Sequence, residues 1–192
     1  MSRHPLPPIE SAVAQGATVY TFEISLNDAD RGVYEALEFR VARHPSESEE
    51  YLLTRVLAYC LEYTEGLAFT KGLSVPDVPA LWVVDLTGLT RVWIEIGLPE
   101  PSRLHQAAKA TPRVVVYAHK EMGAWLTRLS QATIHRLEHI EIFAIDRDFL
   151  AAFAEHLDRR MRFDLTVSEG VLFVSIGDTS LSGSVTRQAV RG

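Results

Sequence analysis

At 192 residues, with 47% hydrophobic and 23% charged side chains, the chain has the composition of a globular domain and excludes long disorder or a collagen-like repeat. Nineteen Lys and Arg against 25 Asp and Glu leave a net charge of −6, which disfavours strong non-specific binding to polyphosphate. One cysteine, Cys60, excludes an internal disulfide, and the basic N-terminus lacks the apolar stretch of a secretory signal, so a cytoplasmic setting is expected. Runs such as Val114–Ala118 are far too short to span a bilayer, so no membrane partner is expected.

In chain order, residues 1–16 carry prolines and no period and read as a loose leader. Strands are expected at 17–25 and 33–42, with the polar stretch Asn27–Gly32 turning the chain between them. Pro45-Ser46 then opens an amphipathic helix with apolar positions at Leu53, Val56, Leu57, Cys60 and Leu61. Ser46 is read as its N-cap, Glu49 as the reciprocal capping residue, and its acidic first turn suits the helix dipole. Capping and solvation account for Glu47 and Glu49.

A turn-rich loop, 72–79, precedes two short apolar runs, 81–84 and 92–96, which flank Thr87-Gly88 as a hairpin. Pro99 in a first turn starts a helix to about Ala110, and 114–118 is a buried strand. A helix at 120–133, a strand at 140–145 and a helix at 147–159 follow. In the last hairpin, a two-residue turn at Glu169-Gly170 sets Phe163, Leu165 and Val167 opposite Ile176, Val174 and Leu172 on one face. The chain from about Ser182 looks untethered. With no linker or repeat, the expectation is one domain over 17–187 and a tail at 188–192. The fold class is mixed α+β, a central mixed sheet flanked by helices with additional β-hairpins.

Glu95 is the residue that asks for chemistry. It lies in Val92-Trp93-Ile94-Glu95-Ile96, a strand apolar on both faces, where an unpartnered carboxylate is costly or stays protonated. A metal, a base or a hydrogen-bond network should meet it; a purely structural carboxylate satisfies the same demand. Trp82, Trp93 and Trp125 have apolar neighbours and read as core rather than base-stacking groups. His135 and His139 share a helical spacing but lack a third ligand, and Cys60 lies on the buried stripe of its helix.

Four segments in one order, His44-Pro45-Ser46-Glu47, Phe69-Thr70-Lys71-Gly72-Leu73, Trp93-Ile94-Glu95-Ile96-Gly97-Leu98-Pro99 and Val115-Val116-Tyr117, resemble the YaeQ family. The similarity runs through Trp125 and the last hairpin and covers roughly residues 17–187. The resemblance implies a variant of the PD-(D/E)XK nuclease-like fold, whose chemistry uses acidic groups on adjacent strands and a helix Glu to hold Mg²⁺ or Mn²⁺ for phosphodiester hydrolysis. It would assign Glu95 as one carboxylate. Counting outward from Thr87-Gly88 puts residue 80, the position of the motif's Asp, opposite Glu95, and this chain has Ala80. Asp77 is the nearest substitute and Glu50 the candidate helix carboxylate. Gly97 stands at the strand lysine position, and Gln106 where the following helix would carry a lysine. Arg103, Lys109 and Lys71 are the candidate cations; Lys71 could equally serve the C-terminal end of the preceding helix.

Two functions follow from the resemblance. One is a weakly active or non-catalytic protein with a degraded metal site that binds a nucleic acid or a protein. The other is a Mg²⁺-dependent nuclease or phosphodiesterase using Glu95, Asp77 and Glu50 as metal ligands.

Overall fold

The computed structural model describes residues 16–70 and 77–190. Lys71 and most of the loop after it, and nearly all of the expected leader, lie outside them. The elements are β1 (Thr18–Asp28), β2 (Val33–Arg43), α1 (Glu49–Leu61), β3 (Leu67–Phe69), β4 (Leu81–Val84), β5 (Thr90–Ile96), α2 (Pro101–Ala110) and β6 (Arg113–Ala118). They continue with α3 (Gly123–Gln131), a 3-10 turn (Leu137–His139), β7 (Glu141–Ile145), α4 (Arg147–Ala154), β8 (Arg160–Ser168), β9 (Val171–Ile176) and β10 (Thr179–Gln188).

The ten strands form one mixed sheet, in the order β2-β1-β8-β9-β10-β7-β6-β5-β4-β3. β1 and β8 run parallel, as do β5, β6 and β7, and the other pairs are antiparallel. The sheet curls until its two edges approach. Phe39 of β2 lies 5.2 Å from Phe69 of β3, and both rings pack on Tyr59 of α1, at 4.6 and 4.7 Å.

Inside the curl runs α1. Leu52, Leu53, Val56, Leu57, Ala58 and Cys60 have no exposed surface, and Thr54 and Arg55 are buried as well. The amphipathic reading is therefore corrected. A helix covered on nearly all sides needs no polar face, and its one buried charge, Arg55, is matched by Glu47 at 3.1 Å. That pair also explains the late start of the helix. Turning Glu47 inward moves the N-cap from Ser46 to Ser48, whose Oγ accepts from the Tyr51 N–H at 3.1 Å. Ser46 instead hydrogen-bonds the His44 ring. Glu47 is thus an internal ion-pair partner rather than a capping or solvated residue.

Strand parity sets the two cores. Val92, Ile94 and Ile96 of β5 and Val115 and Tyr117 of β6 face α1, while Val114, Val116 and Ala118 face outward, under α2 and α3, with Leu104, Trp125 and Leu129. In α2 the proline at N1 is Pro101, not Pro99, and α4 stops at Ala154 rather than 159. The last hairpin has the expected register, with Leu165 opposite Val174 and Val167 opposite Leu172. Its turn residues Glu169 and Gly170 both have positive φ, as a two-residue turn requires. The segment from Ser182 to Gln188 is not untethered: β10 pairs with β9 through Ser184 and with β7 from Val185 to Gln188. Among the described residues no helix is long and apolar enough to cross a membrane.

Candidate functional site

β4 and β5 pair with Leu81 opposite Ile94 and Trp82 opposite Trp93, and the Ala80 N–H donates to the Ile94 carbonyl at 3.1 Å. Continuing that ladder by one residue sets Ala80 beside Glu95, as the sequence count expects. The agreement hides two compensating irregularities. The turn closes between Asp85 and Leu89 (3.0 Å) and a bulge at the Val83/Val84 step restores the register. Ala80 is 3% exposed and sets only a methyl group beside Glu95.

Glu95 is 5% exposed and does have company. Its Oε1 accepts from Arg103 Nε at 2.6 Å and from the Trp93 indole N–H at 2.6 Å. Both donors follow from local geometry: Trp93 is two residues back on the same strand face, and Arg103 sits on α2, which covers that face. Arg103 Nη2 also donates to the Val78 carbonyl at 2.6 Å, and its guanidinium lies 5.9 Å from the Trp93 ring. Burial raises the Glu95 carboxyl above the ordinary glutamate range, while the indole and guanidinium pull it back. Of the partners open to this acid, a hydrogen-bonded base is the one present.

The other sequence candidates among the described residues are dispersed around it. Glu50 belongs to α1, which packs on the opposite face of β5, and its carboxyl is held low by its own backbone N–H and by the Ser48 hydroxyl. Asp77 is exposed, at the head of the segment leading to Ala80, and Lys109 and Gln106 are exposed on α2. Of the candidate cations among the described residues, Arg103 meets Glu95, as a neutralising partner, and Lys109 does not. Among the described residues no three His, Cys, Asp or Glu side chains are grouped so as to hold a metal ion. With an arginine on Glu95 and an alanine beside it, these residues do not fit Mg²⁺ or Mn²⁺.

The sequence reading missed His119, which follows the end of β6. It is 8% exposed, and neither ring nitrogen has a hydrogen-bond partner among the described residues. Its ring meets Tyr51 edge-on at 5.7 Å, and a side chain at Gly97 would come within 3.5 Å of it. Burial, then the neighbouring Lys120, lowers its pKa to about 4, with Glu50 opposing. An imidazole directly after a five-residue apolar run was the available signal.

Since the unfolded chain titrates this residue near 6.5, it binds the extra proton first as pH falls. Stability from His119 is therefore complete above about pH 7 and declines between about 6.5 and 4, by about 2 kcal/mol at pH 5. Urea midpoints at pH 7.5 and 5 should show the loss, and His119→Leu should shrink it. An equal loss in the variant would place the titration elsewhere.

Comparison with known proteins bears on most of the chain. The family model described as YaeQ protein matches residues 13–185. The chain is 30% identical over 176 residues to "Uncharacterized protein YaeQ" of Salmonella typhi and 29% identical to that of Escherichia coli K12, covering 91% of this chain and 97% of each relative. The crystal structure of YaeQ from Pseudomonas syringae is similar at a TM-score of 0.86 and 38% identity, over 92% of this chain and 98% of that one. For YaeQ from Xanthomonas axonopodis pv. citri the values are 0.83, 30%, 90% and 98%.

Proposed function

The chain belongs to the YaeQ family, and on that premise we propose that it is a non-catalytic binding protein built on a nuclease-like core. The run α1-β3-β4-β5-α2-β6, with β4 antiparallel and β6 parallel to β5, supports the nuclease-like part of this reading. One observation carries the non-catalytic part: Glu95 is already neutralised by Arg103 at 2.6 Å, beside Ala80. A catalytic carboxylate must be free to take a divalent cation, and the guanidinium occupies that role. The missing lysine at Gln106 removes the cation that would polarise a phosphate. A net charge of −6 weighs toward a protein partner rather than a nucleic acid.

The test is direct. Single- and double-stranded DNA and RNA are incubated with the protein and Mg²⁺ or Mn²⁺, and binding of the same oligonucleotides is followed at low salt. No metal-dependent cleavage and no saturable binding are expected. Cleavage that Glu95→Gln abolishes would overturn the reading in favour of a metal-dependent phosphodiesterase. Tight oligonucleotide binding without cleavage would replace the protein partner by a nucleic acid.

A further inference from the structure

A cavity of about 470 Å³ opens at the C-terminal end of α1, where Leu61 and Glu62 finish the helix. That volume is in the range of small-molecule sites. Its walls include Val83, Val92, Phe143, Val167 and Val185, and its charged groups are tied up by named partners, with one exception. Asp30 accepts from the Glu169 and Gly170 N–H groups at 2.7 and 2.9 Å. Arg31 donates to the Leu61 and Tyr63 carbonyls that end α1. Glu62 accepts from Arg113 at 2.6 Å and from the Tyr117 hydroxyl at 2.9 Å, and Arg113 also binds Glu141 at 2.7 Å.

Asp28 is the exception. It continues the inward row Phe22, Ile24, Leu26 of β1 and is 1% exposed. Its Oδ1 accepts from the Arg31 N–H at 3.1 Å, but Oδ2 has no hydrogen-bond partner among the described residues, and the Arg31 guanidinium stops 3.8 Å away. A buried carboxyl oxygen without a donor is costly, and the cost is removed by whatever brings one. Three carboxylates, Asp28, Asp30 and Glu62, line the cavity against two arginines, Arg31 and Arg113, so a cationic donor suits the charge as well.

We infer that this cavity binds a small organic cation, an ammonium or amidinium group on an apolar body, with the charged head on Asp28 Oδ2 and the body against Val92, Phe143 and Val167. The site lies on the opposite end of α1 from Glu50 and does not depend on the reading of Glu95. Binding also ties β1, α1 and the β9–β10 region together, because Asp28, Leu61 and Val185 all line it.

The experiment titrates 2-phenylethylamine, hexylamine and benzamidine into the full chain up to about 10 mM, a range set by the affinity ligands of this size reach, with phenylacetate as the anionic control. Amide resonances around Asp28, Gly170 and Val185 are expected to shift saturably with at least one amine and not with phenylacetate. Asp28→Asn keeps the Oδ1 acceptor for Arg31 and should weaken binding at least about tenfold. Val92→Phe, which narrows the cavity without touching the carboxyl, should weaken it similarly and serves if the Asn variant does not fold. No binding by any of the three amines, shifts confined to the Glu95 end, or unchanged affinity in a folded variant would each overturn the inference.

Discussion

Arg55→Met is expected to lower the stability of the protein by about 3–5 kcal/mol, the range for removing one member of a fully buried ion pair. Glu47 and Arg55 are 4% and 2% exposed. Arg55 Nη1 reaches both Glu47 oxygens, at 3.1 and 3.3 Å, and the Ala42 carbonyl at 3.2 Å. The guanidinium also stands 5.6 Å from the Phe69 ring. Methionine fills much of the same volume, so little of the loss comes from packing; it comes from a carboxylate left in an apolar interior with its counter-charge gone. Against a typical total of 5–15 kcal/mol, that is a large fraction. Urea unfolding read as a change in midpoint at constant slope would measure it. Adding Glu47→Gln removes the stranded charge, so the double variant should recover a substantial part of the loss. A single variant costing under about 1 kcal/mol, or a double variant no better than the single, would show that the pair carries little of the stability assigned to it.

The same pair shows why α1 was only half legible. Its apolar positions and its location after Pro45 were read correctly, because spacing is a local signal; its N-cap was not, since the cap is Ser48 rather than Ser46. That the helix is enclosed by a curled sheet is not local. Arg55 looks solvent-facing on a helical projection, and it is covered from the two edge strands, where it meets the Ala42 carbonyl of β2 and the Phe69 ring of β3. The final hairpin was legible in full, since alternation, β-branching and a Glu-Gly turn all specify one register. β10 was not: Ser180, Ser182, Gly183 and Ser184 offer no apolar alternation, and the strand is ordered by partners on both sides. At the site, the register that sets Ala80 beside Glu95 followed from counting, although the turn and the bulge each depart from the simple hairpin. Arg103 was named as a cation, but its role as the counter-charge of Glu95 depends on α2 folding over the outer face of β5. His119 was missed because an imidazole at a strand end carries no period and no partner spacing.

Gly183→Val should cost more than about 3 kcal/mol, beyond the usual range for overfilling a core. A Cβ built at Gly183 would lie 2.3 Å from the Phe149 Cβ, 2.5 Å from its Cγ and 2.9 Å from Cδ1. Such contacts are ordinarily relieved by moving one side or the other, and here both sides are fixed. β10 is paired with β9 at Gly183 and with β7 from Val185 onward. α4 is tied down next to it, with the Asp146 N–H on the Ser184 carbonyl at 3.0 Å and the Asp146 carboxylate capping the Phe149 N–H at 2.9 Å. The glycine is required by this close approach of helix to strand rather than by its backbone angles. Gly183→Ala should already cost about 1–3 kcal/mol. Phe149→Ala added to Gly183→Ala should not restore stability, because the atom nearest the new methyl is a Cβ that alanine retains, and the ring lost is buried. Unfolding midpoints of the three variants would decide it. If Gly183→Val lies within about 1 kcal/mol of the parent, α4 is free to slide over the sheet and the junction between the two halves of the strand order is softer than these contacts imply.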